Sequence, residues 1–157
     1  MRILVLSDCH GSLYKLQKAI EAQPDAKNVF YLGDGVSELE EIESLYPDRI
    51  FHKVKGNCDW GSDLPTQGIA TVNGTKIFFT HGHKSFVKQS TAVLRSIAEN
   101  LGAKIALYGH THIANVEYEN GIYCVNPGAL SGSRNGSESY AVIDILPGGI
   151  MPIIIKI

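Results

Sequence analysis

The chain has 157 residues, of which 44% are hydrophobic and 19% charged, and a formal net charge of −2. That is the size and composition of one ordinary globular domain over residues 1–157, long enough to bury a core without a metal or disulfide staple. The mild acidity argues against stable binding of duplex nucleic acid, which calls for a basic excess, and no run of about twenty apolar residues is available to cross a membrane.

In chain order, residues 2–7 (RILVLS) read as a buried strand. Over 12–23, Leu13, Leu16, Ala19 and Ile20 recur at helical spacing, with Pro24 beyond the end. A strand over 28–32 (NVFYL) and a helix over 36–46, stopped by Pro47, repeat the pattern, and a third strand covers 49–54. Residues 69–72 and 75–80 flank Asn73-Gly74, the preferred chemistry for a two-residue hairpin turn. A third helix is expected over 88–101, closed by Gly102, followed by a strand over 104–108. The last third changes character: 113–118 and 122–125 flank Asn120-Gly121, and 139–145 and 151–157 flank Pro147-Gly148-Gly149. The chain thus begins as α/β and ends as antiparallel strands. Two mixed sheets packed as a sandwich, with helices outside, would bury both kinds of segment. Cys9, Cys58 and Cys124 are odd in number and far apart, the usage of free thiols in a reducing compartment. The apolar run Ile3 to Leu6 is too short for a signal peptide and leads straight into Asp8, so a cytoplasmic protein is expected.

The residues able to ligate a metal fall at the ends of the expected strands. Asp8 and His10 follow the first, Asp34 the second and Asn57 the third; His81 follows 75–80, and His110 and His112 follow 104–108. In an α/β sheet the carboxyl ends of parallel strands share one edge, where ligands bind. Seven potential ligands distant in sequence should therefore meet at one place. A single Asp or Asn after a strand is usually a turn former or a helix cap; the recurrence favours metal. His52 lies inside a strand pattern and reads as structural. Cys9 should point away from its neighbours Asp8 and His10 by strand alternation. Trp60 reads either as a stacking surface or as a loop aromatic packed on the core, and Lys84 and Arg134 read as solvated charges.

The ordered motifs Asp8-Cys9-His10, Gly33-Asp34, Gly56-Asn57, His81-Gly82-His83 and Gly109-His110-Thr111-His112, extended by Asn126-Pro127-Gly128, resemble the calcineurin-like metallophosphoesterase superfamily. Within it they are similar to the small phosphodiesterases of the YfcE type. The resemblance implies a four-layer αββα sandwich of α/β (α+β) class. It also implies two divalent ions, with Mn2+ expected first and Fe2+, Zn2+, Co2+ or Ni2+ as alternatives. Asp8, His10 and His112 would hold one ion and Asn57, His81 and His110 the other, with Asp34 shared. Hydrolysis would follow from attack of a hydroxide bridging the two ions on a small phosphodiester, nucleotide derivatives among the candidates, with Asp34 and Asn57 essential to catalysis. Larger members of the superfamily place a histidine after the metal-binding asparagine to protonate the leaving oxygen. Here that position is Cys58, which leaves His83 as the candidate acid. The rival reading is a protein-interaction scaffold of the retromer small-subunit type with a vestigial metal site. That lineage lacks part of the histidine set, whereas His10, His81, His110 and His112 are all present. A homo-oligomer is compatible with either reading.

Overall fold

The computed structural model describes residues 1–157. Its first part is a β/α run: β1 (Arg2–Leu6), α1 (Leu13–Glu21), β2 (Asn28–Tyr31), α2 (Val36–Ile42) and β3 (Ile50–Lys53). β1, β2 and β3 pair in parallel, as strands joined by helical crossovers do. β4 (Gln67–Val72) and β5 (Thr75–Thr80) form a hairpin; α3 (Ala92–Asn100), β6 (Ile105–Leu107), β7 (Asn115–Glu119) and β8 (Ile122–Asn126) follow. The chain closes with the hairpin of β9 (Ser139–Leu146) and β10 (Gly149–Lys156). One sheet has the order β10-β9-β1-β2-β3 and the other β4-β5-β6-β8-β7. Both are mixed: β9 runs antiparallel to β1, while β5, β6 and β8 run parallel.

Alternation along the strands builds three apolar layers. Ile3, Val5, Phe30 and Leu32 meet Ile77, Phe79, Ile105, Leu107 and Val125 between the sheets. Leu4, Leu6, Val29 and Tyr31 point the other way, onto Leu16 and Ile20 of α1 and Leu39 of α2. Phe78, Ala106 and Cys124 cover the far face, under Leu94 and Ala98 of α3. The result is the helix–sheet–sheet–helix sandwich expected from the sequence.

Both Asn-Gly turns take the mirror-image form that suits twisted hairpins, with φ of 50° and 75° at Asn73-Gly74 and 53° and 78° at Asn120-Gly121. The helices are shorter than their sequence patterns. α2 ends at Ile42 and tightens into a 3₁₀ turn over Glu43–Leu45, because Pro47 disfavours helical backbone at the residue before it. The third helix starts at Ala92 rather than 88. Phe86 is left-handed (φ 54°), and its carbonyl accepts from the amides of both Gln89 and Ser90, which closes a turn before the helix can begin. At the other end, Gly102 (φ 68°) donates to the Glu99 carbonyl and Ala103 to that of Ala98, the paired bonds of a glycine-terminated helix.

Candidate metal centre

Because β1, β2 and β3 are parallel in one sheet, and β5 and β6 in the other, the five loops that follow them open on one edge of the sandwich. Asp8, His10, Asp34 and His112 each place a ligand atom within 4.8 Å of the others. His10 Nε2 and His112 Nε2 are 3.1 Å apart, and Asp8 Oδ1 is 3.1 Å from His112 Nε2. Beside them, His81 Nε2 stands 3.1 Å from Asn57 Oδ1 and 3.4 Å from Asp34 Oδ2. The His110 ring packs edge-on against His81, with centroids 5.0 Å apart. All seven residues expected from the sequence are therefore brought to one edge. His83 borders them, its ring centroid 5.4 Å from that of His81, with Nδ1 buried and unpaired.

The protonation pattern fits a cation at the centre. His112 Nδ1 lies 2.8 Å from the Gly132 carbonyl and His81 Nδ1 lies 2.7 Å from the Leu32 carbonyl. A carbonyl can only accept, so each Nδ1 carries the proton, and in the neutral ring Nε2 presents a lone pair inward. Those lone pairs face further acceptors: Asp8 Oδ1, which is buried without a hydrogen-bond partner, Asp34 Oδ2 and Asn57 Oδ1. Acceptors aimed at one another are stable only around protons or a metal, and a carbonyl behind the imidazole is the usual support of a metal-binding histidine.

Electrostatics follow from the same arrangement. The Asp8 carboxylate beside its Nε2 raises the pKa of His112. Burial lowers that of His81, but the bond to Asp34 and the charges of Asp8 and Asp34 outweigh it and leave the ring more basic than usual. Burial opposes ionisation of Asp34; its bonds to His81 and to the Cys58 amide prevail and hold its pKa well below the ordinary range. His110 is pushed down to about 4 by burial and by the charges of His81 and Lys88.

The backbone here is unusual. Of the eight non-glycine residues with positive φ, five are Asp8, His10, Asp34, His110 and His112. Such conformations cost roughly 1–3 kcal/mol each and persist where the surroundings over-determine them. Two residues to which the sequence gave no stated task, Asp59 and the motif residue Asn126, do much of that determining. Asp59 accepts from four backbone amides, those of Asp34, Gly35, Val36 and Gly56, at 2.7–2.9 Å. One carboxylate thereby caps the start of α2 and ties the Asp34 loop to the Asn57 loop. Asn126 donates to the Gly109 carbonyl and to Thr111 Oγ1, each at 2.9 Å, and accepts from the Gly128 amide, which fixes the loop bearing His110 and His112. Asn126 opens a motif and Asp59 stands two residues after Asn57, but neither position announced its hydrogen-bond partners. Gly33 and Gly56 have a steric reason as well: a Cβ on Gly33 would collide with the backbone of Gly56, and one on Gly56 with the Asp34 carboxylate.

The other singled-out residues fall outside this cluster. Cys9 is buried under the helices, accepts from the Tyr31 hydroxyl at 3.1 Å, and has its thiol pushed up to about 11 by burial. His52 stacks on Phe30 and pairs with Asn28 Oδ1 at 3.0 Å. Lys84 and Arg134 have exposed side chains. Trp60 is 91% exposed, which excludes the reading of a loop aromatic packed on the core.

A sandwich that gathers carboxylates, imidazoles and an amide at the carboxyl ends of its parallel strands is the layout of a metal-dependent phosphoesterase. The chain belongs to that class, specifically to the calcineurin-like phosphoesterase superfamily, whose domain model matches residues 1–147. It is 35% identical over 150 residues to "Probable metallophosphoesterase YsnB" of Bacillus subtilis, covering 92% of this chain and 85% of that protein. It is 28% identical over 171 residues to "Phosphodiesterase YfcE" of Escherichia coli K12, covering 92% and 88%, in keeping with the YfcE-type resemblance. Among solved structures, a single-mutant Vps29 from Entamoeba histolytica superposes with a TM-score of 0.76 over 100% of this chain and 99% of that one. At 21% identity, that likeness concerns the fold alone.

Proposed function

We propose that this protein is a dinuclear metal-dependent phosphodiesterase acting on small diesters of phosphoric acid, nucleotide derivatives among them. The observation that carries the reading is the position of Asp34, whose Oδ2 lies 3.9 Å from His10 Nε2 and 3.4 Å from His81 Nε2, between the two histidine groups. On this reading Asp8, His10 and His112 hold one divalent ion, Asn57, His81 and His110 hold the other, and Asp34 is common to both. Oxygen and imidazole donors without thiolate suit Mn2+, with Fe2+, Zn2+, Co2+ and Ni2+ as the other fitting ions. When bound, such a pair supplies Lewis acidity at phosphate oxygens and a hydroxide nucleophile near neutral pH.

The chain's own part is to orient these donors and to receive the substrate at an open edge. It offers no strong acid for the leaving oxygen. The Cys58 thiol is made less acidic, first by burial and then by the Asp34 charge. Burial and the charges of His81 and Lys84 lower the pKa of His83, which reduces the share of the ring that carries a proton to give. A positioned acid is worth about 10²–10⁴-fold, so kcat/KM should fall steeply as the leaving group becomes more basic; a flat profile with chemistry rate-limiting would assign an acid to the site. The scaffold alternative has only the fold likeness to Vps29 behind it. The three cysteines are free, which suits our placement of the enzyme in the reducing cytoplasm.

The test is metal analysis paired with turnover. Saturated protein should bind two ions per chain. Hydrolysis of bis(p-nitrophenyl) phosphate should stop on chelation and return with manganese. Full hydrolysis by verified metal-free protein would overturn the proposal.

A further inference from the structure

A cleft of ≈650 Å³ opens beside His10, Asp34 and Cys58, and the reading above gives it no task. Its wall is Trp60, the chain's single tryptophan, with 91% of its surface in water. An indole that packs on nothing leaves a large apolar face hydrated, which a loop has no structural reason to maintain. Glu38 and Glu40 line the same cleft, and neither has an ion-pair partner; Glu38 accepts only from the Ser37 hydroxyl, at 2.9 Å. None of the thirteen lining residues is Lys or Arg. Asp59, also in the lining, has its carboxylate committed to four backbone amides and adds no free acceptor of its own. The cleft on the other side of the site, beside Thr111, has the opposite character: its ≈480 Å³ are bordered by Lys88 and Arg134.

A bare indole face with unpaired carboxylates around it, and no cation, is the chemistry that recognises a positive group, most of all a quaternary ammonium. A neutral ring could stack on Trp60 but would make no use of Glu38 and Glu40. A chain of further phosphates would be repelled by them. We propose that the Trp60 cleft binds a cationic alcohol arm of the phosphodiester substrate, an aminoalkyl or quaternary ammonium alcohol. This inference rests on the phosphodiesterase reading and narrows its substrate class. Trp60 would receive the cation on its ring face, Glu38 and Glu40 would supply the compensating charge, and the phosphate would reach the metal cluster at the inner end of the cleft.

The test uses two arms of the same shape that differ only in charge, choline and its carbon analogue 3,3-dimethylbutanol. With metal-loaded enzyme, the p-nitrophenyl phosphodiester of choline should have a kcat/KM about tenfold above that of the dimethylbutyl ester. Trp60→Leu should cut this preference about fivefold, Trp60→Phe should keep most of it, and the double variant Glu38→Gln, Glu40→Gln should remove most of it. Because Trp60 is the only tryptophan, its fluorescence reports this cleft independently of turnover. Phosphocholine should change it saturably and at concentrations about fivefold lower than dimethylbutyl phosphate, with no change from inorganic phosphate. Equal kcat/KM for the two esters, or a preference that survives Trp60→Leu and the double variant, overturns the inference. If neither ester nor bis(p-nitrophenyl) phosphate is cleaved by the two-ion protein, the phosphodiesterase reading fails. The fluorescence titration then decides the cleft alone, with equal affinities for the two phosphates overturning it and a preference for phosphocholine supporting it.

Discussion

The middle of the sandwich and its open edge solve opposite problems. Between the sheets, fourteen buried residues from Ile3 to Ile145 are all hydrophobic, on strands or directly after them, and none has a positive φ. At the edge, ligand-type side chains crowd within hydrogen-bond distance of one another and five of them sit on left-handed backbone. The first region is stable by itself, since each fully buried aliphatic side chain contributes roughly 1.5–3 kcal/mol. The second consists of like groups facing like, and holds its shape because Asp59, Asn126 and the strand ends leave it no alternative. The difference teaches that the strain of the edge is offset by packing some distance away.

That contrast can be broken from either side. The largest effect should come from Asp34→Asn, which removes the charge shared by the two histidine groups while the sheets stay intact. Turnover should fall by more than the roughly 10–100-fold typical of residues behind metal ligands, two-ion occupancy should drop, and the circular-dichroism spectrum should be unchanged; Glu99→Gln on exposed α3 serves as control. Unaltered occupancy would exclude Asp34 as the common ligand. Next comes Asp59→Ala, which touches no ligand atom but strands four amides. We expect metal affinity about 10–100-fold weaker and about 2–4 kcal/mol of lost stability in denaturant titrations, a double effect that would separate an organiser of the edge from a plain surface carboxylate. Ile143→Ala attacks the other region. It should cost about 2–5 kcal/mol yet leave metal affinity and kcat of the folded fraction as they were; a parallel loss of metal affinity would show that middle and edge are not separable.

The smallest effect is a pH dependence. His81 and His112 are more basic than usual because they face Asp34 and Asp8, and a metal must displace their protons. Metal affinity should therefore weaken as pH is lowered toward the ordinary imidazole pKa of about 6.5, by about threefold to tenfold per pH unit. Calorimetry in buffers of different ionisation enthalpy should register proton release on binding. Affinity independent of pH in that range would mean that these rings are not ligands.

Much of this could be read from the chain because the informative signals were local. Asn73-Gly74 and Asn120-Gly121 carry their turn geometry in two residues, and the ligand-type residues stand directly after strands whose ends a short apolar run defines. The late start of α3 was not legible, since nothing in residues 88–91 announces that Phe86 turns left-handed. The strand order was equally hidden: β9 lies beside β1 because of side-chain fit between segments more than 130 residues apart. Trp60 could not be placed from sequence, as a loop tryptophan looks the same whether it packs or projects. The tasks of Asp59 and Asn126 went unread for a related reason. Their partners are backbone amides and carbonyls of other loops, which every residue possesses and no pattern marks.

The slot that β9 fills has a consequence for synthesis. β1 carries Asp8 and His10 at its end and is the central strand of its sheet, yet one of its two neighbours, β9, follows it by more than 130 residues. The approach to β9 also serves the edge, for the amides of Leu130 and Ser131 bond to the carbonyls of Ser7 and Asp8, and Gly132 holds His112. On the ribosome, where N-terminal segments emerge first, Asp8 and His10 must wait for residues 130–132 and β9 before they are locked in place. A nascent protein stalled before residue 130 carries all seven candidate ligands but lacks the bonds made by Leu130, Ser131 and Gly132, so a working centre matures only once β9 has joined the sheet.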